Sequence, residues 1–238
     1  MSSSRRRNWS LRVLALAATL SVGGCAAGGG LPIGGAATWA AAPPGSAATS
    51  TCPTSQPPAL AAGQTRTVTI TTAKGKIVIV IDASLAPIAT GNFVALAACG
   101  YYNGVVFSRL VPGFVIQGGD GQYGRVGADG KLSAANQALM GSGDLGYTIA
   151  DEPVNTSYVR GTVAMARTTQ AHSQADQFFI VLDDSAAQSL TRANNYAILG
   201  KVSTGMDVVD AIAALPNSGD PDYAALNPVP MTSVTVGP

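Results

Sequence analysis

Charge is scarce in this sequence. Asp, Glu, Lys and Arg make up 11% of 238 residues, and the formal net charge is +1. Four of the fourteen cations, Arg5, Arg6, Arg7 and Arg12, precede Cys25, which leaves ten cations against thirteen acids, a balance of −3. That excludes a basic nucleic-acid footprint, and no nucleic-acid partner is expected. Histidine occurs once, at His172, with no second His or Cys pair beside it, so a metal site is not expected. A serine triad through His172 lacks a nucleophile elbow. Gly141–Gly146 spells GxGxxG but lies in a loop before Tyr147 rather than between a strand and a helix, so it does not mark a dinucleotide site. The longest leading apolar run, Leu11–Leu20, is shorter than the roughly 20 residues a membrane-spanning helix needs.

What is present begins with an export pattern. Arg5-Arg6-Arg7 forms a charged leader, Leu11–Leu20 an apolar segment, and Val22-Gly23-Gly24-Cys25 a stretch of small residues at a cleavage point. The last four residues resemble a bacterial lipobox, which implies cleavage before Cys25 and a lipid on its sulfur. Residues 1–24 are then a lipoprotein signal peptide. Residues 25–63, rich in Ala, Gly, Pro and Ser, read as a flexible tether, and 64–238 as the folded domain. The expected location is extracytoplasmic, held to the bacterial cell membrane by lipid. Cys52 and Cys99 remain, an even pair in an oxidising compartment. They form a disulfide from the entry segment to the first helix, or stand as two unrelated thiols.

Alternating Thr and apolar residues from Thr67 to Thr71, a turn at Thr72–Gly75 and a return over Ile77–Ile81 predict a hairpin. Pro87 opens a helix whose apolar face is Phe93, Val94, Leu96 and Ala97, and Gly100 stops it. Residues 121–160 are Gly-rich and irregular. Further strands are expected at Thr162–Ala166, Phe178–Leu182, Ala197–Val202 and Thr232–Val236, with a second helix near Met206–Ala214. The densest stretch is Phe107–Asp120, FSRLVPGFVIQGGD, which reads as strand, Pro-Gly corner and strand. It turns Arg109 back toward Phe114 and Gln117, so that a cation, a ring and an amide share one sheet face. A cation in an apolar hairpin is costly unless something uses it. Eight short strands joined by turns suit a closed antiparallel barrel.

Phe107, Arg109, Pro112-Gly113-Phe114 and Gln117-Gly118-Gly119-Asp120 resemble the signature of the cyclophilin-type peptidyl-prolyl cis-trans isomerases. Gly161–Ala166, Gln177–Ile180 and Tyr196–Val202 resemble the family's other site strands, and the resemblance runs in order from about Thr67 to Val236. It implies a mostly β fold, a closed eight-stranded antiparallel β-barrel capped by two α-helices, acting as a monomer on proline-containing polypeptides without a cofactor. It also implies roles. Arg109 matches the catalytic arginine. Phe114, Val115 and Phe179 match walls of a proline pocket, and Leu190 its leucine. Met165 and Ala166 match the neighbouring groove. Gln117 matches the amide that binds peptide and orients the arginine, Gln177 a further polar contact, and Tyr196 a position where many members carry His.

Some positions depart from the pattern. Arg167 stands where Asn is usual and is expected to alter preference for residues flanking proline. Ser108 replaces a common His, Ala175-Asp176 replaces Gly-Ser, and no Trp lies near residue 190, which implies weak cyclosporin binding. The plain readings of the same residues are core aromatics for Phe114 and Phe179, a surface amide for Gln117, and an ion pair from Arg109 to Asp120. Two other functions remain open: a non-catalytic proline-peptide module on the same barrel, with Arg167 and the loop insertions adding affinity, and a transporter's solute-binding lipoprotein. The second needs two α/β lobes, which short strands disfavour.

Overall fold

A computed structural model describes residues 51–193 and 195–238. Cys25, the leader and Trp39 lie outside the described residues. In chain order the elements are β1 (Thr65–Thr72), β2 (Gly75–Asp82), α1 (Pro87–Ala98), β3 (Val106–Val111), β4 (Val115–Gly118), α2 (Ala134–Leu139), β5 (Thr162–Met165), β6 (Phe178–Val181), α3 (Ala186–Ala193), β7 (Ile198–Thr204), α4 (Met206–Ala213) and β8 (Ala224–Gly237). The eight strands close in the order β1-β2-β7-β5-β6-β4-β3-β8, every pair antiparallel. Closure leaves no edge to pair with another chain.

The β1–β2 turn forms where Thr72 can serve both sides of it. Its hydroxyl accepts from the Lys74 N–H and donates to the Gly75 carbonyl, both at 3.0 Å. Ile77, Ile79 and Ile81 then face inward, fully buried, whereas Val80 is 40% exposed. β2 is therefore one-sided despite an apolar sequence on both faces.

α1 starts at Pro87, whose missing N–H costs nothing in a first turn. Ala86 offers no capping side chain, and the role falls to a residue far along the chain. Glu152 accepts the Ile88 and Ala89 N–H groups, one on each carboxylate oxygen, both at 2.8 Å. Phe93 and Leu96 of α1 and Val209 and Ile212 of α4 enter the main core with Val68, Ile70, Phe107, Ile116 and Phe178. The rings of Phe93 and Phe178 meet edge-on at 5.2 Å, an arrangement worth about 0.5–1.5 kcal/mol beyond burial.

Three features differ from the sequence expectation. Two short helices join the expected pair. α2 buries no residue and so carries no apolar stripe, while α3 buries only Ala186 and Leu190. β8 runs for fourteen residues rather than five. Pro228 and Pro230 argue against a long strand, but they sit near the point where β8 passes from β3 to β1, with Pro230 opposite Val106 and Met231 opposite Thr72. Residues 52–63, expected in the tether, instead run over the surface beside α1 as a strap. Leu60 N–H donates to the Pro87 carbonyl at 3.0 Å, and a Cβ on Gly91 would lie 2.4 Å from the Pro58 oxygen. The strap needs no periodicity because it forms no regular element.

The strap is tied at its start by a disulfide between Cys52 and Cys99, with Cα atoms 5.2 Å apart. With a sequence separation of 47, loop entropy alone is worth about 4 kcal/mol. Cys99→Ser is expected to lower the unfolding free energy by up to that amount in denaturant titration. Alkylation without reductant should leave both residues unlabelled in peptide mapping; labelling of either would contradict the bond.

Candidate active site

Strand alternation makes two apolar faces from β4, β5, β6 and β7. Ile116, Val163, Met165, Phe178, Ile180 and Leu199 point into the barrel core. Val115, Ala164, Phe179, Val181 and Ile198 point outward and build a second cluster with Tyr158, Ala186 and Leu190. Phe114, Ala166 and Tyr196 pack on that cluster while keeping part of their surface exposed. The result is an apolar seat on the outside of the barrel.

The polar groups stand in register beside it. Arg109 is the cross-strand partner of Gln117, Gln117 of Phe179, Phe179 of Ala164, and Ala164 of Ile198. Directly opposed residues share a face with Cβ atoms about 5 Å apart. One lateral row thus carries a guanidinium, an amide, an aromatic ring and a small residue across β3, β4, β6 and β5. The glycine pair after Gln117 follows from crowding. A Cβ on Gly118 would sit 2.8 Å from the Val106 oxygen, and one on Gly119, at φ +105°, 2.6 Å from the Asp176 oxygen.

Arg109 is half-buried, and its Nε–H donates to the Asp222 carbonyl at 3.1 Å. Among the described residues it makes no ion pair. Asp120, the acid nearest in sequence, is wholly buried and turned to four backbone N–H groups instead. Gln117 Nε2 donates to Gln177 Oε1 at 2.9 Å, and Gln177 Nε2 donates to the Gly141 carbonyl at 3.1 Å. Tyr196 is fixed through its backbone, since the Tyr158 hydroxyl donates to its carbonyl at 3.0 Å and accepts its N–H at 3.2 Å. Burial pushes the Tyr158 hydroxyl up to about 12, so it stays protonated for this task. The Tyr196 ring meets Phe179 edge-on at 5.4 Å. Leu190 arrives from α3, whose entry is marked by the Asp183 carboxylate accepting the Ser185 N–H at 2.8 Å.

Beside the row lies a groove cavity of about 200 Å³. Gly141, Ser142 and Gly143 wall it together with Thr168, Ser173, Ala175, Gln117 and Gln177. Three sequence assignments change here. Met165 is fully buried and belongs to the barrel core, because the period of two that turns Ala164 outward turns Met165 inward. Arg167 borders the groove, but its side chain is 7% exposed and turned beneath its own loop. There it meets Asp151 at 3.0 Å and donates to the carbonyls of Thr168, Gln170 and Asn195. It braces a wall instead of reaching for a flanking residue. Gln117, expected to orient Arg109, hydrogen-bonds Gln177 instead, and the Asp222 carbonyl holds the arginine.

The roles of Asp120, Asp151 and Asp222 escaped sequence reasoning. Asp120 stood at the end of a readable motif, but the other two are joined to the site only by tertiary folding. Burial opposes ionisation of Asp151, yet the His172 N–H, the Gln174 amide and the Arg167 charge together hold its carboxyl below the usual range. Asp176 goes the other way. Burial, then the nearby charge of Asp120, raises it, despite hydrogen bonds from the Tyr101 hydroxyl and the Gly121 N–H.

The family model for "Cyclophilin type peptidyl-prolyl cis-trans isomerase/CLD" matches residues 67–236. Peptidyl-prolyl cis-trans isomerase A of Dickeya dadantii is 37% identical over 157 residues, covering 66% of this chain and 75% of its own. Peptidyl-prolyl cis-trans isomerase B of Escherichia coli is 35% identical over 176 residues, covering 71% and 98%. A crystal structure of a Cryptosporidium parvum cyclophilin-type isomerase matches the fold with TM-score 0.58 at 24% identity, covering 74% of this chain and 99% of that one.

The two aspartates have opposite effects on stability. The contribution of Asp151 is present above the ordinary carboxylate pKa, about 3.9, and is lost as pH falls through its lowered folded value. The ionised Asp176 costs stability above its raised value, and that cost disappears as pH falls through it. Asp176→Asn keeps an acceptor for Tyr101 and removes the cost. Thermal melts should show it at least as stable as wild type at pH 7, with a flatter pH dependence just above the ordinary carboxylate range. A variant less stable at pH 7 would contradict this account.

Proposed function

The chain belongs to the cyclophilin-type peptidyl-prolyl cis-trans isomerase family, and we propose that it turns X-Pro bonds by binding their twisted form through Arg109. A proline amide resists rotation by roughly 18–20 kcal/mol because resonance keeps it planar. As it twists, the nitrogen lone pair localises and becomes able to accept a hydrogen bond. A fixed guanidinium beside that nitrogen binds the twisted state better than either planar isomer, which is what catalysis requires. No nucleophile or proton transfer enters the scheme.

The observation that carries this reading is the register row from Arg109 through Gln117 to Phe179. The proline ring sits on Phe179, Val115, Phe114 and Leu190, an apolar seat that holds it while the preceding residue turns. Arg109 is anchored through Nε to Asp222. Among the described residues its two terminal nitrogens take no hydrogen bond, so they can serve the substrate. Arginine suits the task because it stays charged and planar. The peptide's carbonyl and N–H groups meet Gln117, Gln177 and the backbone at Ala166 along the groove. A solved structure of the Cryptosporidium relative was obtained in the presence of the dipeptide Ala-Pro, which fits a seat for one proline ring.

The non-catalytic alternative drew on Arg167 as an affinity contact. Arg167 is engaged inside its own loop, which removes that contact. We further propose that the enzyme acts outside the cytoplasm on exported polypeptides, held by a lipid on Cys25. The leader sequence supports this.

Two measurements test the proposal. Wild-type protein should accelerate isomerisation of an Ala-Pro peptide, and Arg109→Ala should lose about 100-fold or more in kcat/KM, the scale of removing one transition-state donor. Equal rates for the two would end the arginine mechanism. Expressed with its leader, the chain should fractionate with membranes, and Cys25→Ser should move it to the soluble fraction. A Cys25→Ser protein that stays with the membrane would exclude the lipid anchor.

A further inference from the structure

We infer that Asp120 is a positioning residue for the isomerase site, acting through the 141–143 wall of the groove and the two glutamine amides. The inference rests on the isomerase reading and adds to it a residue that touches no substrate. Asp120 is fully buried, and its two carboxylate oxygens divide their work. Oδ1 accepts the N–H groups of Gln122 at 3.0 Å and Tyr123 at 2.9 Å, closing the turn that follows β4. Oδ2 reaches across to a separate stretch of chain and accepts the N–H groups of Gly141 at 2.7 Å and Gly143 at 3.0 Å. One side chain thus ties the end of the site hairpin to the groove wall.

From that wall a chain of hydrogen bonds leads back to the reacting face. The Gly141 carbonyl accepts Gln177 Nε2 at 3.1 Å, which sets the direction of the Gln177 amide. Its Oε1 then accepts Gln117 Nε2 at 2.9 Å. Gln117, the register partner of Arg109 across the β3–β4 pair, is thus fixed at the end of this path. Hydrogen bonds to a carboxylate are among the stronger ones, so the anchor is stiffer than the loop it holds. The contact is also close. A Cβ on Gly143 would lie 2.0 Å from Asp120 Oδ1, so only glycine leaves room for the carboxylate.

The two oxygens make a selective test possible. Asp120→Asn retains an acceptor for Gln122 and Tyr123 but turns an NH₂ group toward the Gly141 and Gly143 N–H groups, donor against donor. The turn survives and the wall is released. For the full chain acting on an Ala-Pro peptide, KM should rise about tenfold, roughly the worth of one hydrogen bond, with kcat within about twofold. A purely structural defect would instead lower the active fraction and leave KM alone. The decisive measurement is a cycle with Gln177→Ala. Since both residues act on one path, the double variant should have the KM of Gln177→Ala alone. Multiplying effects would overturn the inference, as would an unchanged KM in Asp120→Asn. Should that variant not fold, Gly143→Ala displaces the same wall with the carboxylate intact and must raise KM likewise; an unchanged KM there overturns the inference. A wild-type chain with no activity on the peptide overturns the isomerase reading itself, and this inference with it.

Discussion

The site depends on strands that are buried on both faces. β4, β5 and β6 are four residues long, and each gives alternate side chains to the barrel core and to the outer seat. A slip of one residue in β6 would exchange Phe178 with Phe179 and spoil both clusters at once. The core therefore enforces the register that sets Arg109, Gln117 and Phe179 side by side. Catalytic geometry and packing are held by the same ladder of hydrogen bonds, and neither can drift alone.

Acidic side chains build the loops around that ladder. Asp120 holds 141–143, Asp151 holds Arg167 and the 168–174 loop, Glu152 caps α1, and Asp176 takes the Tyr101 hydroxyl. Each is committed to N–H groups, hydroxyls or a guanidinium away from Arg109. A scarcely charged chain thus places its carboxylates as clamps and leaves the site cation facing a carbonyl, which anchors it without neutralising it. A carboxylate in place of the Asp222 carbonyl would draw the guanidinium into a pair and blunt the pull on an amide nitrogen that the proposed mechanism needs.

The barrel was legible because its signals are local. Thr-apolar alternation, the Pro-Gly corner and the order of the motifs gave eight strands, and α1 and α4 carry apolar faces of ordinary length. Arg109, Phe114, Val115, Gln117, Phe179, Leu190 and Tyr196 come together on one face of the barrel. What escaped was set by tertiary contact. α3 has an Asp-Asp-Ser entry and an i, i+4 pair in Ala186 and Leu190, a real but short signal. Arg167 looked like a groove residue because its position borders the groove, and only the place of Asp151 reveals where the guanidinium goes. Met165 was misassigned for a simpler reason: strand parity, applied from Phe179 through its partner Ala164, turns it inward.

The ring of strands is sealed by β1 against β8, with Val68 opposite Val236 and Ile70 opposite Val234. The first and last segments of the folded unit are therefore neighbours in space. β8 and the loop before it also supply Ala224 opposite Arg109 and the Asp222 carbonyl on its Nε. Such long-range pairing is slow to form. During synthesis from the N-terminus, neither the sealed cylinder nor a steadied arginine can exist until the final stretch has left the ribosome. Structural closure and completion of the proposed site should thus be achieved in a single late event, and partly made chains would present the apolar seat before the cation beside it is steadied.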